Sequence, residues 1–199
     1  MKLILLLLFL MTTNFSSLYS ASNDDPIFYD EIGGWEIGIL PYLNFGCYTS
    51  SPVYEGGEML SVYVDNRQNA ENVYLHLVNP LWSSLQVGDI HEMGVIFEPF
   101  ADKWIGEAEV VSYGDHKGIE FVVGTEFLVT FAKMDSIRFT YNDRDLLGLV
   151  LDGSYNAAVS LAQCQELVAE VGTSRNSINM KRKLKKPVSY THLTLPTKA

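Results

Sequence analysis

Three histidines could serve as bases: His76, His91 and His116. His76 lies in "NVYLHLV", where strand alternation sets Val73, Leu75 and Leu77 on one face and His76 with Tyr74 and Val78 on the other. That placement predicts a surface or hydrogen-bonded strand histidine. His91 and Glu92 adjoin in a strand, so their side chains point to opposite faces and cannot act together directly. Asp115 and His116 fall in the turn "GDHK", and nothing nearby supplies the third and fourth ligands of a zinc site. Ser154 in "DGSYN" has the outline of a nucleophile elbow, but Asn156 stands where the second glycine belongs, and helix capping accounts for the same residues. The oxygen-rich "DNRQNAEN", Asp65–Asn72, lacks the glycine and terminal glutamate of an EF-hand loop. With no CxxC, HExxH or Gly-rich phosphate loop, no catalytic, metal or cofactor set is expected.

Aromatic residues form a second set. Trp82 follows Pro80 in a loop, Trp104 opens a strand, and Tyr48, Tyr54, Tyr63 and Tyr74 add phenols. Exposed aromatics among acids can make a ligand-binding face, and Trp82, Trp104, Tyr48 and Tyr54 are the candidates for it. Packing at the core and rim of a β-structure is the competing account.

The elements that must position these residues read as β-structure. Short runs rich in Val, Ile, Tyr and Phe alternate with Gly, Asn, Asp and Pro. Strands are expected at Trp35–Leu40, Glu58–Asp65, Asn72–Val78, Ile90–Glu98, Lys103–Tyr113, Gly118–Gly124, Ser136–Asn142 and Asp145–Gly153. Two stretches have helical spacing instead. In Thr125–Asp135 the apolar positions are 127, 128, 131 and 134, with Thr125 as the expected cap. In Ser154–Gly172 a stripe of Ala157, Leu161, Cys164, Val168 and Val171 forms, with Asp152 or Ser154 capping and Gly172 stopping the helix. The expected fold is an antiparallel β-sandwich or barrel-like sheet with a short helix and a C-terminal helix packed on it.

The chain of 199 residues suits one domain with appendages. Lys2, the apolar run Leu3–Met11 and a small-residue stretch with cleavage after Ser20 or Ala21 describe a signal peptide at residues 1–21, so a periplasmic or secreted protein is expected. The run is too short to be a permanent membrane helix, and no stable membrane insertion is expected. Export favours oxidation of the two cysteines, and two allow only one pairing, Cys47 to Cys164. The domain at residues 22–172 holds six cations against all 24 acids, a net of −18. Such a body repels nucleic acid and favours neutral or basic partners. Residues 173–187 read as a basic disordered tail. "VSYTHLTLPT" back-translates to GTC TCT TAT ACA CAT CTG ACG CTG CCG ACG, the adaptor DNA of transposase-based sequencing libraries. Residues 188–199 therefore read as translated adaptor, which removes His192 from the candidate bases.

Several landmarks carry a resemblance: Trp35, Gly46-Cys47, Asn79-Pro80-Leu81-Trp82, Phe97 leading to "WIGEA" at Trp104–Ala108, "FLVTFA" at Phe127–Ala132 and "LDGSYNAAVSLAQC" at Leu151–Cys164. In these the chain resembles a family of small exported bacterial β-rich proteins and is distantly similar to the invasion-associated locus B proteins, from which it departs in having far fewer cysteines. The resemblance implies a β-rich periplasmic domain and carries over no catalytic residue. The expected role is an envelope binding or interaction module for an envelope protein or a small ligand. The alternatives are a hydrolase using His116 or His91 with a carboxylate, or an inhibitor or immunity-type protein whose acidity matches a basic partner.

Overall fold

The computed structural model describes residues 24–67, 72–99, 102–172 and 178. The expected signal peptide and adaptor-like end lie outside the described residues, as does the expected basic tail apart from residue 178. Ten strands form one open antiparallel sheet: β1 (Ile27–Ile32), β2 (Trp35–Leu40), β3 (Gly46–Ser50), β4 (Met59–Val64), β5 (Val73–Asn79), β6 (Ile90–Glu98), β7 (Asp102–Tyr113), β8 (His116–Val123), β9 (Ser136–Tyr141) and β10 (Arg144–Val150). Their order across the sheet is β1-β2-β3-β4-β5-β8-β7-β6-β9-β10. Helices α1 (Thr125–Lys133) and α2 (Ser154–Val171) pack with the sheet. The mainly-β class with a short and a C-terminal helix is as expected, and the sheet does not close into a barrel.

Alternation separates two faces. Trp35, Ile37 and Ile39 of β2, Leu60 and Val62 of β4, Leu75 and Leu77 of β5, Phe121 of β8 and Phe139 of β9 are buried on the inner face. Each such side chain contributes about 1.5–3 kcal/mol through its burial. The helices cover this face: α1 buries Phe127 and Phe131, and α2 buries Ala157, Leu161, Cys164, Leu167 and Val168. Val171, expected on the same stripe, is only half-buried at the end of the helix. Cys47 on β3 and Cys164 on α2 are joined by a disulfide with Cα atoms 6.1 Å apart, and the Cys47 amide donates to Gln165 Oε1 at 3.0 Å. The helix is thereby held to the inner face of the sheet.

Side chains bridge the open edge between β1 and β10. The Trp35 indole N–H donates to the Asp152 carbonyl at 2.7 Å, its ring meeting Phe131 edge-on at 5.4 Å. The Tyr54 hydroxyl, from the β3–β4 connection, donates to the Val150 carbonyl at 2.8 Å. Among the described residues no helix is long and apolar enough to cross a membrane.

Both expected helix caps are corrected. Thr125 is the first helical residue of α1, and Gly124 occupies its cap with no side-chain bond. Neither Asp152 nor Ser154 caps α2. The cap is Gly153, at φ 82°, and Ser154 Oγ instead donates to the Phe131 carbonyl at 3.0 Å. A side chain at Gly153 would crowd the Gly33 carbonyl (3.0 Å) and the Trp35 ring (3.2 Å), so glycine serves here for close approach as well as for its left-handed turn. Gly172, at φ 73°, ends α2 as expected.

Candidate functional site

The outer face of β2, β3, β4, β5 and β8 carries a cleft of about 740 Å³. Strand register builds its floor. One row runs Glu36, Ser50, Ser61, His76, Glu120 and Glu109, each opposite the next on the neighbouring strand. A second row runs Gly38, Tyr48, Tyr63, Tyr74 and Val122. Tyr42, from the 3-10 turn Pro41–Leu43, and Tyr113, from the end of β7, complete the aromatic walls.

Two strand glycines let the rings lie flat. A Cβ at Gly38 would fall 2.4 Å from the Tyr48 ring, and one at Gly118 would fall 2.5 Å from His76 Nε2. Glycine inside a strand commonly marks such a close approach. The Tyr48 hydroxyl then donates to Glu36, and the Tyr63 hydroxyl to Glu120. Tyr63 stacks on Tyr74 with centroids 5.0 Å apart and planes within 5°. Burial first, then these carboxylates, holds the Tyr48 and Tyr63 phenols well above the ordinary tyrosine value.

His76 is the unusual residue. It is 7% exposed, packs against Tyr113 at 5.4 Å, and its Nε2 lacks a hydrogen-bond partner among the described residues. Burial holds its imidazole at about 4, so it is neutral at physiological pH. Glu120 opposite it is pushed the other way: burial raises its carboxyl, the Tyr63 hydroxyl opposes that, and the charge of Glu109 adds to the rise. The expectation of a surface or hydrogen-bonded His76 is corrected by this geometry, because the Tyr113 ring, reaching across from β7, packs on a face that alternation alone leaves open.

A smaller lobe of about 390 Å³ adjoins the cleft through Tyr63 and Glu120 and adds Asp65, Glu107 and Glu109. Arg67 in this lobe is engaged by Asp65, its Nε donating at 2.9 Å and its terminal nitrogen at 2.6 Å. That pairing holds the Asp65 carboxyl below its ordinary value.

The four aromatics expected to share a face occupy different places. Tyr48 lines the cleft. Tyr54 spans the open edge of the sheet. Trp82 lines a separate apolar pocket of about 220 Å³ with Leu85, His91 and Met93. Trp104 packs on the inner side, edge-on to Phe121 at 6.0 Å and Phe127 at 6.4 Å. His91 sits edge-on to Tyr141 at 5.6 Å, outside the cleft. His116 is exposed and opens β8 opposite Tyr113, so it stands in a strand and the turn is only Gly114-Asp115. The Ser154 hydroxyl donates to the Phe131 carbonyl, and among the described residues it makes no hydrogen bond to a histidine. Among the described residues no group of three His, Cys, Asp or Glu side chains is placed to hold a metal ion.

Neither a family model nor a curated protein matches the chain. Among solved structures, the chain is similar to the crystal structure of invasion associated protein B from Bartonella henselae, with 16% identity over 69% of this chain and 97% of that one and a TM-score of 0.49, which is a distant structural similarity.

Proposed function

We propose that the protein is an exported, non-catalytic binding module, with residues 22–172 as its working domain and the tyrosine-walled cleft as the seat of a small ligand. The observation that carries this reading is His76, a buried imidazole that lines a cleft of ligand size and whose Nε2 meets no partner among the described residues. A buried polar atom left unpaired costs about 1–3 kcal/mol, and a ligand group that pairs with it recovers that cost on binding. The tyrosine rings supply apolar area around it at little conformational cost. The disulfide and the signal-like start support export.

A second reading has one observation in its favour. Ser61, His76 and Glu120 stand opposite one another on three adjacent strands, a hydroxyl, a base and a carboxylate in one row. For the hydrolase alternative this moves the histidine from His116 or His91 to His76. Against it, Ser61 Oγ donates to Ser50 Oγ at 3.0 Å and Glu120 accepts from Tyr63, so neither is engaged with the imidazole. The deciding experiment screens a small-molecule library by thermal shift on the purified protein and its His76→Phe variant, beside an assay with p-nitrophenyl acetate. Binding predicts a library member that raises the wild-type Tm and not the variant's. Ester turnover lost in both Ser61→Ala and His76→Phe, with no stabilising library member, would overturn the binding reading in favour of the hydrolase.

A further inference from the structure

Resting on the binding-module reading, we infer that the cleft takes a ligand bearing a protonated nitrogen, an alkylammonium or guanidinium group, held by the Tyr48 and Tyr63 rings and the Glu36 and Glu120 carboxylates.

Charge is the first ground. Among the described residues the cleft is lined by Glu31, Glu36 and Glu120 and by no lysine or arginine. The adjoining lobe adds three more carboxylates and only Arg67, already engaged by Asp65. An anionic ligand would meet carboxylates on every side.

The second ground is like-charge pairing across strands. Glu109, in the adjoining lobe, stands directly opposite Glu120 of the cleft. Like charges so placed destabilise a sheet, and a cation seated beside them relieves the repulsion. A neutral sugar could stack on the same tyrosines but would leave that repulsion in place.

His76 is the third and independent ground. His76 lines the cleft, and its unpartnered Nε2 is buried over Gly118 beside the Tyr113 ring, so a ligand reaches it where that half-exposed ring moves aside. A neutral imidazole nitrogen accepts a hydrogen bond from a ligand N–H, which a protonated amine or guanidinium supplies. The tyrosine faces add attraction for the same positive charge, since an aromatic ring presents its negative quadrupole to a cation. The phenols are already turned away as donors to Glu36 and Glu120, which holds each ring and leaves each carboxylate a second oxygen for the ligand.

Isothermal titration calorimetry with four probes tests this: cadaverine, acetyl-Gly-Lys-Gly-amide, 1,5-pentanediol and maltose. Cadaverine or the lysyl peptide is expected to bind one to one, at least tenfold tighter than 1,5-pentanediol, with affinity falling as salt rises. Binding by the free amine alone assigns a small metabolite amine, and binding by the peptide assigns a lysyl side chain; either supports the inference. Glu120→Gln and Tyr48→Ala should each weaken binding about tenfold, with folding checked by far-UV circular dichroism. Glu126→Gln, on α1 and away from the cleft, should leave affinity unchanged. Equal weakening by Glu126→Gln would mean diffuse attraction to an acidic body and would overturn the inference. Failure of both cationic probes, with a neutral or anionic compound binding in a His76-dependent way, overturns the inference and leaves the binding module standing. Failure of every probe and of the thermal-shift library overturns both.

Discussion

Replacing His76 by leucine should flatten the acid side of the protein's stability curve. The folded imidazole is held at about 4 against an ordinary 6.5, with burial as the cause. Between these two values the unfolded chain binds a proton at His76 that the folded chain refuses. Stability therefore rises with pH across that window and is lost as pH falls from 6.5 toward 4. The full difference corresponds to about 3 kcal/mol, of which about 2 kcal/mol is lost by pH 5. Glu120, which faces His76 from β8, has a raised carboxyl and so contributes in the opposite sense, taking up its proton first in the folded state. Both proteins retain Glu120, so the difference between them isolates the imidazole. At pH 7 His76→Leu should lie within about 1 kcal/mol of wild type, because it removes a buried nitrogen that has no partner. Urea unfolding followed by tryptophan fluorescence at pH 7 and pH 5 gives the comparison. The variant should lose about 2 kcal/mol less than wild type between the two. Equal losses would refute the buried, neutral state of His76 and weaken the binding reading with it.

Three further outcomes are expected. The double variant Cys47→Ser, Cys164→Ser should lose about 2–4 kcal/mol in urea unfolding, and reduction of the wild type should match it, because the crosslink closes a long loop. Trp35→Phe should cost about 1–3 kcal/mol in the same measurement, since the Asp152 carbonyl loses its indole donor. Gly38→Val should displace the Tyr48 ring from its seat, cost about 1–3 kcal/mol through overpacking, and weaken any ligand of the cleft; an unchanged Tm would show that the ring does not rest there.

Local pattern carried much of the fold. In β5 the spacing of Val73, Leu75 and Leu77 marks the inner face, and in α2 Ala157, Leu161, Cys164 and Val168 mark the buried stripe, all visible without a partner strand. β1 and β3 were not visible in this way. "IFYDEI" is an edge strand with two adjoining acids, Asp30 and Glu31, that fall on opposite faces, and "GCYTS" is five residues long with glycine at its start. Both are strands because neighbours pair with them, and pairing over distance leaves little mark on a short segment. The cleft was hidden for the same reason. Alternation put Tyr74 and His76 on one face of β5, but only register brings Tyr48, Tyr63 and Glu120 beside them. One signal was present: Gly38 and Gly118 interrupt strands at positions where a neighbouring ring needs the space.

The cleft crosses the seam between β5 and β8, where strand order first departs from chain order. Glu36, Tyr48, Tyr63 and His76 come from one side of that seam, and Tyr113 and Glu120 from the other. A slip of β8 by one residue would turn Glu120 into the apolar core and swing Phe121 out among the tyrosines. Such a misaligned chain would offer a ligand an aromatic plug in place of a carboxylate. A ligand that bridges the seam therefore proofreads it, adding its binding energy to the one alignment of the two halves and to no other.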